Sequence, residues 1–322
     1  MFIWRKQAIW TAMALLLSGA AQAAYPEKPV RLIVPFPAGG VADMVARSVS
    51  QEVGKNLGQP VVVENKPGAS AIIGTDYVAK TPADGYTLLL ANLPVMAINE
   101  LQFASLPYKA AQDLQPVVLL AEQPYIIAVA HDTGLQTMDA LVGQAKKDPK
   151  KLTFGSASSS TFLAGELFKA RAGIEMAHIP YKGSNPAIND LLGGHISLLL
   201  DTVSSLAPHV ESGKLYGLAV TSSKRSAAAP GIPSYRETGL TDMDITSWQG
   251  IAVRAGTPKD IVERLNKEFN AALKEPAVRD TLLRQGVTPA GGSAEDFSKF
   301  VQAERERWGG IAKQVGFKPG AM

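Results

Sequence analysis

Arg31-Leu32-Ile33-Val34-Pro35-Phe36-Pro37-Ala38-Gly39-Gly40 decides the fold: an apolar segment runs into a glycine turn and on into a helical pattern. Arg31 to Phe36 predicts a buried strand, being short, apolar and bounded by turn residues. Apolar side chains then fall at Val41, Val45, Val49, Val53 and Leu57, steps of four that share one helical face. Gly58 ends that helix, and Val61-Val62-Val63 begins another strand after Pro60. Strand, helix and strand in so short a span predict a parallel sheet in an α/β protein.

The same grammar continues outward. Pro67-Gly68 makes a turn, Ile72 to Ala79 a helix, Asp84-Gly85 a turn and Tyr86 to Ala91 a strand. A second lobe is expected from the strand Tyr125 to Ala130, with a helix at Met138 to Lys147, a strand at Leu152 to Phe154, and a loop at Gly155 to Ser160 before the helix Thr161 to Arg171. Pro186 to Leu192 reads as a helix, and Ile196 to Leu200 and Leu215 to Val220 as strands. From Trp248 the chain is expected to return to the first lobe. Thr257 is the expected cap of a helix with Pro258 at its first position and Ile261, Leu265, Phe269 and Leu273 on its apolar face. Ser293 starts a last helix carrying Phe297, Phe300, Val301, Trp308, Ile311 and Val315, expected on the first lobe. The domain limits are therefore 24–123 with 247–322, and 124–246.

Residues 1–23 read as a cleaved signal peptide: Arg5 and Lys6 precede the apolar run Ala8 to Leu17, and Ala21-Gln22-Ala23 fits a cleavage site. The expected location is thus the periplasm. The net charge of +3 falls to about +1 without the leader, which gives no electrostatic footprint for nucleic acid. Cysteine is absent, so disulfides, thiolate nucleophiles and cysteine-ligated metals are excluded. His131, His178, His195 and His209 show no metal-ligand spacing, and neither phosphate-loop nor dinucleotide fingerprint occurs; no cofactor is expected.

Chemistry concentrates in two strand-to-helix loops, Pro35 to Asp43 and Phe154 to Thr161. In an open α/β sheet such loops lie where ligands bind, and each following helix presents unpaired amides and a positive dipole end. An anion fits there without Arg or Lys. Gly39 and Gly40 permit close approach to the main chain, and the serines offer hydroxyls. Asp43, in the first helical turn, reads first as a helix stabiliser. Gly155-Ser156-Ala157-Ser158-Ser159 fails the nucleophile-elbow pattern at its last position. A triad of Ser156 or Ser158 with a distant histidine and Asp201 stays open, because triads assemble in space.

Ordered along the chain are Tyr25-Pro26-Glu27-Lys28-Pro29-Val30, Val34-Pro35-Phe36-Pro37-Ala38-Gly39-Gly40, Val63-Glu64-Asn65-Lys66-Pro67-Gly68-Ala69, Asp84-Gly85-Tyr86-Thr87, Ile179-Pro180-Tyr181-Lys182-Gly183, Asp190-Leu191-Leu192-Gly193-Gly194 and Trp248-Gln249-Gly250. In these motifs the chain resembles the substrate-binding proteins of tripartite tricarboxylate transporters, the Bug family. The resemblance implies a periplasmic binding protein (Venus-flytrap) fold, two α/β domains joined by two crossover strands, and no enzymatic activity. It implies a small carboxylate (a di- or tricarboxylate, an amino acid or an aromatic acid) held mainly by main-chain amides. By position it implicates Phe36, Ala38, Gly39, Gly40, Val41 and Asp43, then Ser156, Ala157, Ser158, Ser160 and Thr161, with Asn92 and Asp201 at strand ends. The membrane subunits of such a transporter are the implied partners, with a sensor kinase or a serine hydrolase as other readings; a monomer is the simplest expectation. Ala42 and Phe162 stand where the family often has a hydroxyl residue and a histidine, and Pro67-Gly68-Ala69-Ser70-Ala71 departs from its Pro-Gly-Ala-Gly-Gly. These departures imply a more apolar pocket.

Overall fold

A computed structural model describes residues 25–149 and 151–317; the expected signal peptide lies outside them. Val30–Val34 (β1), Val61–Asn65 (β2) and Thr87–Asn92 (β3) pair in parallel in the order β2-β1-β3. Helices Val41–Leu57 (α1) and Ile72–Ala79 (α2) connect them. Alternation along β1 sorts its two faces: Val30, Leu32 and Val34 join Val45, Val49 and Val53 of α1 in one core, while Ile33 enters the core opposite. Gly58 closes α1 in the left-handed conformation, φ 73°.

The expected strand at Tyr125 is only the end of a much longer one. Leu114–Ala130 (β4) is a single strand of 17 residues. At about 3.3 Å per residue it reaches ~55 Å, several times the usual length. Pro116 and Pro124 hide it, because proline cannot donate to a ladder and normally marks an edge or an end. Register shifts between Pro116 and Val118 and between Leu119 and Ala121 absorb the irregularity.

One strand thereby serves two sheets. From Leu114 to Pro124 it pairs antiparallel with Thr246–Arg254 (β9), which also pairs with β3. From Tyr125 to Ala130 it lies between Leu198–Thr202 (β7) and Leu215–Val220 (β8). Thr153–Ser156 (β5) and Ala177–Pro180 (β6) continue the second sheet in parallel beside β7. Helices Met138–Lys147 (α3), Ser159–Ala172 (α4), Ser184–Leu192 (α5) and Val203–Glu211 (α6) belong to this half. Lys259–Lys274 (α7), Pro276–Arg284 (α8) and Ala294–Gln314 (α9) follow β9, and α7 packs on α1 and β4.

Two helix expectations need revision. Thr257 does not cap α7: its hydroxyl and amide both turn back to the Arg254 carbonyl, so Pro258 is the cap and the helix begins at Lys259. Ser293 does cap α9, in a reciprocal capping box with Asp296. That last helix is not confined to the first lobe; it also touches α4. Its phenylalanines close on Trp248, with ring centroids 5.6 Å away at Phe297 and 5.5 Å at Phe300. The indole N–H groups of Trp248 and Trp308 both donate to Glu304, at 3.2 and 3.1 Å.

Before α2, three consecutive non-glycine residues occupy the left-handed region, Ala69 (φ 46°), Ser70 (φ 53°) and Ala71 (φ 72°). The turn is pinned by Asn99 Nδ2, which donates to the Ser70 carbonyl at 2.9 Å, and by the Ile72 amide on the Ala69 carbonyl. Left-handed backbone costs an L-residue about 1–2 kcal/mol, partly offset in glycine by its greater unfolded-state freedom. Ser70 is exposed, so Ser70→Gly removes strain without removing packing. It is expected to raise stability by about 0.5–1 kcal/mol in urea unfolding at unchanged slope.

Candidate functional site

Where β4 leaves one sheet for the other, the two halves enclose a cleft of about 780 Å³. The segment Phe36 to Ala42, with Asn92 and Pro94, forms its first wall. Ala157, Ser158, Ser160, Thr161, the segment Lys182 to Pro186, and Asp201 with the start of α6 form the second. Gln123, Tyr125, Ser247 and Gln249 come from β4 and β9 themselves. Of the residues expected from sequence, Phe36, Ala38, Gly39, Gly40, Val41, Asn92, Ala157, Ser158, Ser160, Thr161 and Asp201 line the cleft. Asp43 and Ser156 stand behind the lining.

The first loop leaves its helix open. Gly40 is the cap residue of α1, extended at φ −83°, and has no side chain to satisfy the first-turn amides. The positive end of a 17-residue helix therefore opens on the cleft. Asp43 supports this loop from behind. It accepts the Gly39 amide and Arg47 Nε, both at 3.0 Å, and Asn65 Nδ2 at 2.9 Å, while the same Asn65 nitrogen donates to the Phe36 carbonyl. Burial favours the neutral carboxyl, but these three donors outweigh it and hold Asp43 at about 2.

The second loop is closed on itself. Ser158 caps α4 by accepting the Thr161 amide, and the Thr161 hydroxyl oxygen accepts the amides of Ala157 (2.9 Å) and Ser158 (3.0 Å). Ser158 and Ser160 share a hydroxyl–hydroxyl bond of 2.9 Å, and the Ser159 hydroxyl donates to Gln102. The expected supply of free hydroxyls is thus largely spent on shaping the loop. The walls are unlike: one offers open amides, the other a rigid polar surface.

Ser156 meets a partner that sequence did not signal, because 22 residues separate them: its Oγ lies 2.7 Å from His178 Nε2. Burial, then the Lys169 ammonium, push the His178 pKa down and favour the neutral ring. Asp201 does not complete a triad with them, since its Oδ1 accepts the Thr202 amide at 2.7 Å and it lies in the cleft, where Ser156 does not. Phe162 does not line the cleft either; it packs on Phe154, His178 and Phe317. Of the departures from which a more apolar pocket is expected, Phe162 therefore contributes nothing to the lining, whereas Ala42 is part of it. Sequence reasoning missed Gln123, Ser184, Thr202, Ser204 and Ser205 altogether, saw His209 only as a histidine without metal-ligand spacing, and saw Gln249 only as part of a motif.

Comparison with known proteins gives a consistent picture. A family model described as the tripartite tricarboxylate transporter family receptor matches residues 45–317. Protein BugT of Bordetella pertussis is 36% identical over 313 residues, covering 96% of each chain. An R. palustris protein solved with adipate is 35% identical, superposes with a TM-score of 0.84, and is matched over 92% of this chain and 99% of its own. MatC from Rhodopseudomonas palustris with bound malate is 27% identical, with a TM-score of 0.79 over 89% of this chain and 99% of its own. The α/β fold is that of periplasmic binding proteins.

The Asp43 buttress has a pH signature. A folded pKa of about 2, below the ordinary 3.8, contributes stability fully present above pH 3.8 and lost as pH falls toward 2. Asp43→Asn is expected to be less stable than the parent at pH 5 by about 1–2 kcal/mol, the gap closing toward pH 2. Paired urea titrations across that range measure it; a gap that does not close would remove Asp43 from this role.

Proposed function

The chain belongs to the tripartite tricarboxylate transporter receptor family, and from that premise we propose that it is an extracytoplasmic solute-binding protein that captures a small carboxylate between two lobes and delivers it to the membrane subunits of such a transporter. The observation that carries this reading is the uncapped amino end of α1, with Gly39 and Gly40, opening on the cleft. A carboxylate there meets main-chain amides and the positive helix end, and needs no cationic side chain. Adipate and malate in the two R. palustris neighbours are small carboxylates of the kind such a site holds.

In this reading the lobes are residues 24–123 with 247–322 and residues 124–246, hinged on β4 and β9. Closure brings the self-capped second loop against a ligand already seated on the first. Ala38, Gly40 and Val41 hold the carboxylate, with Phe36 and Gly39, whose amide is taken by Asp43, shaping the loop around it; Ala157, Ser158, Ser160 and Thr161 cover it; Asn92 and Asp201 line the space beside it. Asp43 and Ser156 act indirectly, by fixing loop shape. The protein binds and releases its solute unchanged, and works in the periplasm after losing residues 1–23.

Thermal melts of residues 24–322 against carboxylates test the reading. A true ligand at a hundredfold excess over its Kd stabilises the folded state by ~2.7 kcal/mol, raising Tm by several degrees without being consumed. Gly40→Val separates site from fold. Gly40 has the extended backbone that valine favours, and the nearest heavy atom to an added Cβ is the Pro37 carbonyl oxygen at 3.9 Å. Valine in place of glycine at a helix cap costs about 1 kcal/mol. Affinity is expected to fall at least ~100-fold, because the side chain fills the space over the amides. Retained affinity in a folded Gly40→Val variant would move the carboxylate elsewhere.

A further inference from the structure

Among the described residues, three buried side chains that line the cleft keep a polar atom without a hydrogen-bond partner. Gln123 is 1% exposed, Asp201 3% and Gln249 5%. The orphaned atoms are Gln123 Nε2, Asp201 Oδ2 and Gln249 Oε1. Buried polar groups are nearly always paired, so three orphans on side chains that line one cleft are a marked departure. They come from neighbouring strands at the place where β4 changes sheets: Gln123 pairs in register with Ser247, two residues from Gln249, and Tyr125 pairs with Thr202, next to Asp201.

Their remaining bonds fix what each can still do. Gln123 Oε1 accepts the Ser204 amide at 3.3 Å, which leaves its N–H donors unspent. Asp201 Oδ1 accepts the Thr202 amide at 2.7 Å. The Thr202 hydroxyl is engaged with those of Ser204 (3.0 Å) and Ser205 (2.9 Å). Burial pushes the Asp201 carboxyl up, and Ser184, the Thr202 amide and Ser205 draw it back. Two orphans are acceptors and one is a donor. Lys182, a cation in the lining, is exposed on the loop before α5, where solvent screens it.

We propose that Gln123, Asp201 and Gln249 form a second subsite that reads the far end of the ligand, and that it takes a hydrogen-bond-donating group, a hydroxyl or an amine, rather than a second carboxylate. This rests on the reading of α1 as the seat of the first carboxylate. An ionised second carboxylate brings acceptors alone and sets oxygen lone pairs against Asp201 Oδ2 and Gln249 Oε1 in a desolvated place. An ammonium group donates to Asp201 and Gln249 together, while a hydroxyl donates to one of them and accepts from Gln123. A site built around unpaired groups rejects analogues that leave them unpaired.

Calorimetric titration of residues 24–322 with matched acids of four to six carbons tests this: the unsubstituted monocarboxylate, the terminal hydroxy acid, the terminal amino acid and the dicarboxylate at each length. At the best length the hydroxy or amino acid is expected to bind at least ~10-fold more tightly than the dicarboxylate. Asp201→Asn, which removes the charge at nearly constant shape, is expected to compress that ratio to within ~3-fold. Where Asp201→Asn does not fold, Gln123→Leu is the second variant, and it should weaken the hydroxy acid relative to the unsubstituted one. A dicarboxylate that binds as tightly as both donors, or a ratio unmoved by the variant, overturns the subsite while leaving the carboxylate reading intact. No binding by any acid overturns both.

Discussion

The strand β4 is the constraint on which the rest of the molecule depends. Because it runs without a break from Leu114 to Ala130, the sheet that pairs with β9 and the sheet that pairs with β7 and β8 are joined by continuous backbone hydrogen bonding. The two halves meet at the change of partner between Pro124 and Tyr125, and the cleft lies there. Strand alternation at this junction does two jobs. Ser247 and Gln249 face the cleft, while Trp248 between them is fully buried against Phe297 and Phe300 and donates to Glu304. The last helix thus holds the cleft floor from behind.

In the proposed reading, a floor held in this way leaves recognition to the walls, and the walls divide the labour. The first uses main-chain amides at an uncapped helix end, a feature almost any side-chain substitution outside the glycines leaves in place. The second is a self-bonded cap whose hydroxyls are committed to one another, so it presents fixed shape more than free donors. A carboxylate gripped by backbone identifies only a carboxylate. Discrimination among carboxylates has to come from side chains further along the cleft, which is where the unpaired atoms of Gln123, Asp201 and Gln249 lie.

The range of each interaction decides how much of this is legible in the sequence. Steps of four from Val41 to Leu57 and the Gly58 stop are local, and α1 has the predicted limits. The capping box at Ser293 is local too. The first half of β4 was hidden because its prolines are tolerated only through register shifts against β9, more than a hundred residues away. Thr257 misled because two local bonds compete for one hydroxyl, and the turn back to Arg254 wins over the helix. The two loops were legible as walls of a cleft from their place at strand-to-helix junctions, but not the difference between them, since that depends on which hydroxyls face each other. Gln123 could not be found as a cleft residue while its strand was unseen.

Cost and use are linked at this site. Asp43 lies behind the first loop with every donor around it engaged, and its charge is stabilised. Asp201, equally out of water, lines the cleft with one oxygen unpaired, and its charge is disfavoured. The same side chain therefore plays opposite parts on the two walls. Where an aspartate is needed to shape backbone it is satisfied within the protein; where one oxygen is left unsatisfied, a ligand can supply the missing partner. A buried acid next to small hydroxyl residues has partners close at hand, Ser184 and Ser205 among them. Those hydroxyls pull its ionisation back without quenching the second oxygen, which keeps the acid both buried and available.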